Sequence, residues 1–221
     1  MFRDRVDAGR RLADRLGNVT PAAVVVGLPR GGVVVAAQVA LRLGAPLDVI
    51  VVRKLGVPAA PEVAMGALGE GGVLVVNSDV VRRARVSPAA FAEVRLREQA
   101  VLDDRVQRLR AAVPLTPLSG RTVVVVDDGV ATGATARAAC QVARAARAAS
   151  VILAVPVIAP DVLPELAAVA DRVVYVEAPV DLQAVGQRYA DFSQVGDAEV
   201  TALLEQAADG DGGSATRRAE R

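Results

Sequence analysis

Two adjacent carboxylates, Asp127 and Asp128, are the side chains of this sequence that are best placed to do chemistry. They directly follow a run of four valines, Val123 to Val126. A short apolar run of β-branched residues is typical of a strand that is covered on both faces of a parallel sheet. Because open α/β sheets bind ligands at the carboxyl ends of their strands, we expect the two aspartates to line a ligand site.

The loop after the aspartates has the composition of an anion site. Its residues are Ala131, Thr132, Gly133, Ala134 and Thr135. From 135 to 149 the chain contains neither proline nor glycine and is rich in alanine and arginine, which predicts a helix. Unpaired N–H groups and the positive end of the dipole at a helix start bind phosphate, and the threonine hydroxyls add donors. The alternative is an ordinary strand–turn–helix with solvated aspartates.

A second glycine-containing loop follows the apolar run 22–27. It contains Arg30, Gly31 and Gly32. Glycines permit a close approach of the backbone, so their amides can converge on an anion beside the fixed positive charge of Arg30. A proline–glycine turn without function is the alternative reading.

Two adjacent cations, Arg53 and Lys54, follow the next predicted strand, 47–52. At the carboxyl end of a parallel strand they would point toward the same crevice as the aspartates. A solvated basic turn is the alternative.

The stretch VVVVDDGVATGAT resembles the phosphoribosyl-pyrophosphate-binding motif of type I phosphoribosyltransferases. That motif consists of an apolar strand, two acids, three mostly apolar residues, and then threonine, glycine, a small residue and threonine. GLPRGG stands where the family has a loop that binds pyrophosphate, and the pair Arg53 and Lys54 resembles the basic stretch of adenine-type members. The resemblance covers about residues 2 to 208.

The resemblance implies an enzyme that moves ribose 5-phosphate between phosphoribosyl pyrophosphate and a nitrogenous base, releasing pyrophosphate, as in nucleotide salvage. It implies Mg²⁺ as the cofactor. It places the 5-phosphate on residues 131–135, and it makes Asp127, Asp128 and Lys54 the expected catalytic residues. The residues expected to bind pyrophosphate are Arg30, Gly31, Gly32, Arg53 and Lys54.

The expected chemistry follows from the charges that develop during the transfer. Displacing pyrophosphate from the anomeric carbon creates positive charge on the sugar and negative charge on the leaving group. Mg²⁺ neutralises phosphate oxygens. Asp127 and Asp128 would hold the ribose hydroxyls, directly or through the metal ion, and would favour the cationic sugar.

The sequence departs from one branch of the family at Ala131. In 6-oxopurine enzymes an aspartate usually stands at this position and serves the base, whereas adenine-type enzymes commonly have alanine. The acceptor is then adenine, another base or no base at all, and no general base is evident. A non-catalytic regulator that binds phosphoribosyl pyrophosphate is the competing function, and a fold adapted to a different phosphorylated ribose is a third.

The alternation of strand and helix patterns predicts an α/β fold of the type I phosphoribosyltransferase kind. We expect a mostly parallel sheet of about five strands, flanked by helices and topped by a small hood. The hood would be built from 54–77, a hairpin with little core of its own that closes as a lid, and from 177–195. We expect residues 1–208 to form a single domain and residues 209–221 to be a disordered tail.

Composition excludes several classes of protein. The 221 residues carry 26 basic and 25 acidic side chains, so a net charge of +1 gives no electrostatic case for binding nucleic acid or membrane. The absence of histidine excludes His-dependent triads and His-ligated zinc. A single cysteine, Cys140, and no signal-peptide pattern lead us to expect a cytoplasmic protein. The sequence leaves a homodimer open.

Overall fold

The structure is a computed structural model that describes residues 1–20, 22–111 and 113–218, with side-chain surroundings as far as residue 208. The helices are α1 (Arg5–Leu16), α2 (Gly31–Leu43), α3 (Ser78–Arg83), α4 (Pro88–Arg110), α5 (Ala134–Ala145), α6 (Leu163–Ala167) and α7 (Asp197–Arg218). The strands are β1 (Ala23–Gly27), β2 (Leu47–Val49), β3 (Val52–Val57), β4 (Ala60–Gly69), β5 (Val73–Val76), β6 (Thr122–Val126), β7 (Ser150–Val157) and β8 (Arg172–Glu177). None of the described helices is long and apolar enough to span a membrane.

A parallel sheet of five strands, in the order β2-β1-β6-β7-β8, forms the centre of the fold, as the sequence predicts. Alternate valines of β6 face opposite cores. Val124 packs with residues of α1 and α2, whereas Val123 and Val125 pack with α5. Helices therefore cover both faces, which explains why the strand reads as an uninterrupted apolar run.

The second sheet is antiparallel, with the order β3-β4-β5, and it corrects the prediction of one strand over 47–52. The parallel strand ends at Val49, and Val52 already belongs to the second sheet. Residues on both sides of this break are buried, so hydrophobicity alone gives no sign of the passage between sheets. Arg53 and Lys54 accordingly lie within β3, and the proline-rich segment after β3 is a hairpin turn.

The second sheet also corrects the expectation that 54–77 has little core of its own. Leu55, Met65 and Leu68 are at most 1% exposed, and they belong to the same hydrophobic cluster as the parallel sheet. Gly69 lies against α5, where an added Cβ would come within 2.3 Å of Val142. The predicted glycine turn is confirmed between β4 and β5, where Gly71 has a φ of 77°. Within this segment the longest exposed stretch is 58–63, the β3–β4 turn together with the first residues of β4.

The chain ends in α7, a helix that the sequence reading did not predict. Val200 and Leu204 bury this helix against the core. The helix is described as far as Arg218, within the segment 209–221 for which the sequence predicts a disordered tail, and that expectation stays a prediction. The last part of that prediction, 219–221, lies outside the described residues.

Candidate active site

Parallel pairing of β1 and β6 brings the two predicted ligand loops together. Gly27 is opposite Val126, and the N–H of Leu28 donates a hydrogen bond of 2.8 Å to the Val126 carbonyl. The chain leaves both strands at the same edge of the sheet, so the Arg30-Gly31-Gly32 loop and the acidic pair are neighbours. The peptide bond between Pro29 and Arg30 is cis.

Contacts between the two loops are close enough to require glycine. A Cβ on Gly31 would lie 2.0 Å from Asp128 Oδ2, and a Cβ on Gly32 would lie 2.9 Å from the Cα of Asp127. Gly31 is also the first residue of α2. The structure therefore places the start of α2 directly against the aspartates.

The acidic pair lies in a partly buried position that disfavours two full negative charges. Burial raises the pKa of Asp127 well above its ordinary value, and the neighbouring charge of Asp128 adds to this rise. Burial also raises the pKa of Asp128, against the opposing effect of Arg5. The Asp128 N–H donates to Asp127 Oδ1 at 2.9 Å. A cation that binds here would relieve the repulsion between the two carboxylates.

Arg5 of α1 is a site residue that sequence reasoning missed. Its Nε donates to Asp128 Oδ2 at 2.8 Å, and its Nη1 donates to the Ser193 carbonyl at 2.8 Å. The guanidinium lies 3.9 Å from the centre of the Phe192 ring, a cation–π distance. The side chain is only 11% exposed. Several arginines occur in this helix, and nothing in the local pattern distinguishes Arg5 from the others.

The predicted hood segment 177–195 reaches the acidic pair through an aromatic cluster. The Tyr189 hydroxyl donates to the Asp128 carbonyl at 2.5 Å, and the Tyr189 ring is 4.9 Å from Phe192 and 5.3 Å from Phe2. Burial raises the pKa of the Tyr189 hydroxyl far above its ordinary value. The segment forms a 3₁₀ turn at 185–188, and residues 191–196 have no regular secondary structure.

The N-terminal ends of α2 and α5, which lie at the two predicted anion loops, have no side-chain caps. Neither Arg30 before α2 nor Gly133 before α5 makes a side-chain cap bond. By contrast, α1, α3 and α4 are capped by Asp4, Asn77 and Ser87. Uncapped N–H groups remain available for an anion.

The loop 131–135 turns sharply into α5. Gly133 has a φ of 75°, a left-handed conformation that glycine adopts without strain, and the helix begins at Ala134. Helix α5 ends at Ala145, before the predicted end at 149, because the backbone leaves the helical conformation at Arg147, where φ is 65°. Of the loop residues, Thr135 lines a cavity of about 800 Å³, which residues 131–134 do not line.

That cavity also contains Arg53 and Lys54, so the structure brings both cations to Thr135. The aspartates do not line it. Arg53 Nη2 is 2.6 Å from Glu98 Oε2 and is largely neutralised by this ion pair. Lys54 Nζ is 3.4 Å from the exposed carboxylate of Glu62, a loose contact. Arg30 lines a neighbouring cavity of about 560 Å³.

The acidic pair is the part of the site that fits a metal ion. Among the described residues no group of three or more acidic or cysteine side chains is arranged to hold one. Mg²⁺ does not need such a cage, since it keeps several waters and binds through one or two carboxylates together with substrate phosphates. Asp127 and Asp128 beside two uncapped helix starts match that requirement.

Comparison with known proteins gives concordant matches. The chain matches the model of the "Phosphoribosyl transferase domain" family over residues 5–190. It is 53% identical over 208 residues to "Putative phosphoribosyl transferase Rv0571c" of Mycobacterium tuberculosis H37Rv, and equally to "Putative phosphoribosyl transferase MT0597" of strain CDC 1551. These alignments cover 94% of this chain and 47% of the relatives, so the chain spans about half their length.

A solved structure of similar size also matches. This is TT1426 from Thermus thermophilus, which is 46% identical in sequence and has a TM-score of 0.86. The match covers 93% of this chain and 98% of the Thermus chain. Most of the fold is therefore shared with a protein of known structure.

Proposed function

The chain belongs to the phosphoribosyl transferase domain family, and from that premise we propose that it transfers ribose 5-phosphate from phosphoribosyl pyrophosphate to a nitrogenous base, with Mg²⁺ as cofactor. The observation that carries this proposal is the pair of uncapped helix starts at the acidic pair. One of them, at Gly31 of α2, touches Asp128, and the other, at Ala134 of α5, follows Asp128 by six residues. This arrangement suits a ligand with a phosphate group at each end and hydroxyls between them.

The reaction requires stabilisation of separated charges. A lone pair of the base nitrogen forms a bond to the anomeric carbon, and the bond from that carbon to pyrophosphate breaks, with its electron pair leaving on the pyrophosphate. The proton of the base nitrogen is released to water. Asp127 and Asp128 hold the ribose hydroxyls and stabilise the positive sugar electrostatically. Mg²⁺, when bound, supplies charge neutralisation on the leaving group.

We expect the two loops to bind different phosphate groups of the substrate. Residues 131–135 would bind the 5-phosphate through the N–H groups at the start of α5. Arg30, Gly31 and Gly32 would bind pyrophosphate at the start of α2, with Arg53 and Lys54 adding positive charge from β3. Lys54 is better suited to this than Arg53, because its contact with Glu62 is loose while Arg53 is tightly paired.

The acceptor side is formed by the segment that carries Tyr189 and Phe192. Ala131 stands where an acidic residue would serve a 6-oxopurine, so we propose adenine or another base without that requirement. Phe192 is 37% exposed and carries the Arg5 guanidinium on its ring, so it is the aromatic side chain of this segment that would stack on a planar base.

The site assignment is tested with a double variant, Asp127→Asn plus Asp128→Asn. We expect Mg²⁺-dependent binding of phosphoribosyl pyrophosphate, measured by calorimetry, to fall by at least a hundredfold, because the ribose and metal contacts depend on these charges. A matched control is Asp14→Asn plus Asp79→Asn, which alters two exposed carboxylates of α1 and α3 that line neither the 800 Å³ nor the 560 Å³ cavity. Equal affinity in the two double variants would refute the assignment.

Turnover is tested separately by measuring pyrophosphate release with a panel of bases. Release with at least one base is the expected result. Tight binding of phosphoribosyl pyrophosphate without release for any base would contradict the transferase and favour a binding regulator.

A further inference from the structure

We propose that Arg105 of α4 forms an anion subsite together with Arg30, and that this subsite takes the pyrophosphate group. The identity of the anion rests on the proposed function, whereas the existence of the subsite rests on the charges and cavities described below. Arg105 lies 75 residues from Arg30 in sequence and belongs to none of the motifs that the sequence presents.

Arg105 stands between the two cavities near the site. It lines the cavity of about 800 Å³ that contains Lys54 and Thr135. It also lines the neighbouring cavity of about 560 Å³ that contains Arg30. An anion held by Arg105 would therefore lie near the residues that are expected to bind pyrophosphate. The cavities are also lined by carboxylates, Glu62, Glu93 and Glu98 in the first and Asp104 and Asp197 in the second.

Both arginines of the proposed subsite are half-buried without an acidic partner. Within the part of the chain that the structure describes, neither Arg30 nor Arg105 makes an ion pair or a side-chain hydrogen bond. Their arginine neighbours differ, since Arg53 is paired with Glu98 and Arg108 with Asp104. A partly desolvated guanidinium without an acceptor is unfavourable, and a phosphate group would supply acceptors in the paired geometry that guanidinium favours.

The local electrostatic field also favours an anion. The pKa of Arg105 is lowered first by burial and then by the positive charges of Arg30, Arg53 and Arg108, with Asp197 opposing this effect. Arg30, unlike Arg53 and Arg108, makes no ion pair within the described residues, so a multivalent anion would gain from Arg30 and Arg105 at once, against the repulsion of Asp197.

The subsite would link α4 to the active site. Arg30 lies in the loop whose glycines touch the aspartates, and Arg105 lies on a helix that packs over the second sheet. Pyrophosphate bound between them would hold this helix against the loop.

The direct test is calorimetric titration of the full chain with inorganic pyrophosphate in the presence of Mg²⁺. We expect Arg105→Gln to weaken binding by at least tenfold. Arg95→Gln is the matched control, because Arg95 is an exposed arginine of the same helix that lines neither cavity, and it should change binding by less than twofold. Unchanged pyrophosphate binding in Arg105→Gln would overturn the proposal.

A second readout separates ligand binding from a structural role. Because Arg105 makes no ion pair within the described residues and lies near three other arginines as well as Asp197, Arg105→Gln should leave the thermal midpoint of the ligand-free protein unchanged or raised. Arg105→Lys should keep part of the affinity, since it retains the charge but not the planar fork. A lowered ligand-free midpoint together with no retained affinity in Arg105→Lys would show that Arg105 is structural and overturn the proposal.

Competition identifies the anion. Phosphoribosyl pyrophosphate should exclude free pyrophosphate from the wild-type protein, and simultaneous binding of both would overturn the assignment to the leaving group. The proposed function fails separately, by the absence of turnover with any base. An Arg105-dependent affinity for pyrophosphate would still support the subsite in that case.

Discussion

The pKa values of the carboxyl groups in this protein are shifted in opposite directions by their local surroundings. Burial raises the pKa of Asp127 and Asp128 at the end of β6. Asp171, before β8, accepts hydrogen bonds from Arg144 and from the backbone of Val151, and these contacts lower its pKa to about 2. Asp127 and Asp128 would become fully charged when a cation binds. Asp171 is charged in the ligand-free protein and joins α5 to the start of β7 through its hydrogen bonds.

Asp171 should make the stability of the fold depend on acid pH. Its folded pKa of about 2 is below the ordinary value of ~3.9, so its contribution is complete above about pH 4 and is lost as the pH falls toward 2. We expect Asp171→Asn to lower the denaturation midpoint at pH 6, by a modest amount because the side chain is 48% exposed. The difference in denaturation midpoint between the wild type and the variant should disappear as the pH falls from about 4 to about 2. A gap that is the same at pH 6 and pH 2.5 would contradict this assignment.

At the scale of elements, a buried ion-pair network fastens the second sheet to the parallel one. Arg110, the last residue of α4, donates at 2.6 Å to Asp48 in β2 and at 2.6 Å to Glu70 in the turn before β5. Asp48 is 1% exposed and accepts two further bonds, from the backbone N–H groups of Val49 and Thr116. One guanidinium thus joins three elements that are distant in sequence.

Removing that guanidinium should be costly. Arg110→Met leaves the buried Asp48 charge without its cation, and breaking a buried pair from one side costs about 3 kcal/mol of unfolding free energy. Arg108→Met is the control, because its pair with Asp104 is exposed and should be worth about 0.5 kcal/mol. Chemical denaturation measures the loss of unfolding free energy in both variants. Equal losses in the two variants would show that the network does not fasten the sheets.

At the scale of the whole molecule, the two sheets share one hydrophobic core. Leu55, Met65 and Leu68 of the second sheet cluster with Leu12 of α1 and Val124 of β6. Elements that share a core unfold together, whereas exposed turns open locally at little free energy. The second sheet therefore belongs to the rigid body, and a moving lid would be confined to the β3–β4 turn.

Hydrogen exchange should separate the turn from the sheet. We expect amides of 58–63 to exchange rapidly in the ligand-free protein, and amides of 65–68 to exchange only as slowly as those of β6. Exchange monitored by mass spectrometry resolves the two segments. Similar fast exchange over both segments would mean that the second sheet opens independently of the parallel sheet.

The sequence by itself determined the parts of the site that are contiguous in the chain. The valine run, the acidic pair and the two glycine loops are each local patterns, because a strand that ends in a loop before a helix start needs only neighbouring residues. Parallel strands then bring those loops to one edge of the sheet. The α/β class and the five-strand parallel sheet follow from the same patterns and are confirmed.

Only the tertiary structure decided which distant side chains complete the site. Arg5 lies 123 residues from Asp128, and Tyr189 lies 61 residues from it. Helical periodicity shows which face of α1 is buried, but not what that face meets, since this depends on how the helix packs against the rest of the molecule. For the same reason the apolar run 47–52 could not show that the chain changes sheets, because its residues are buried in one or the other of the two cores on both sides of the change.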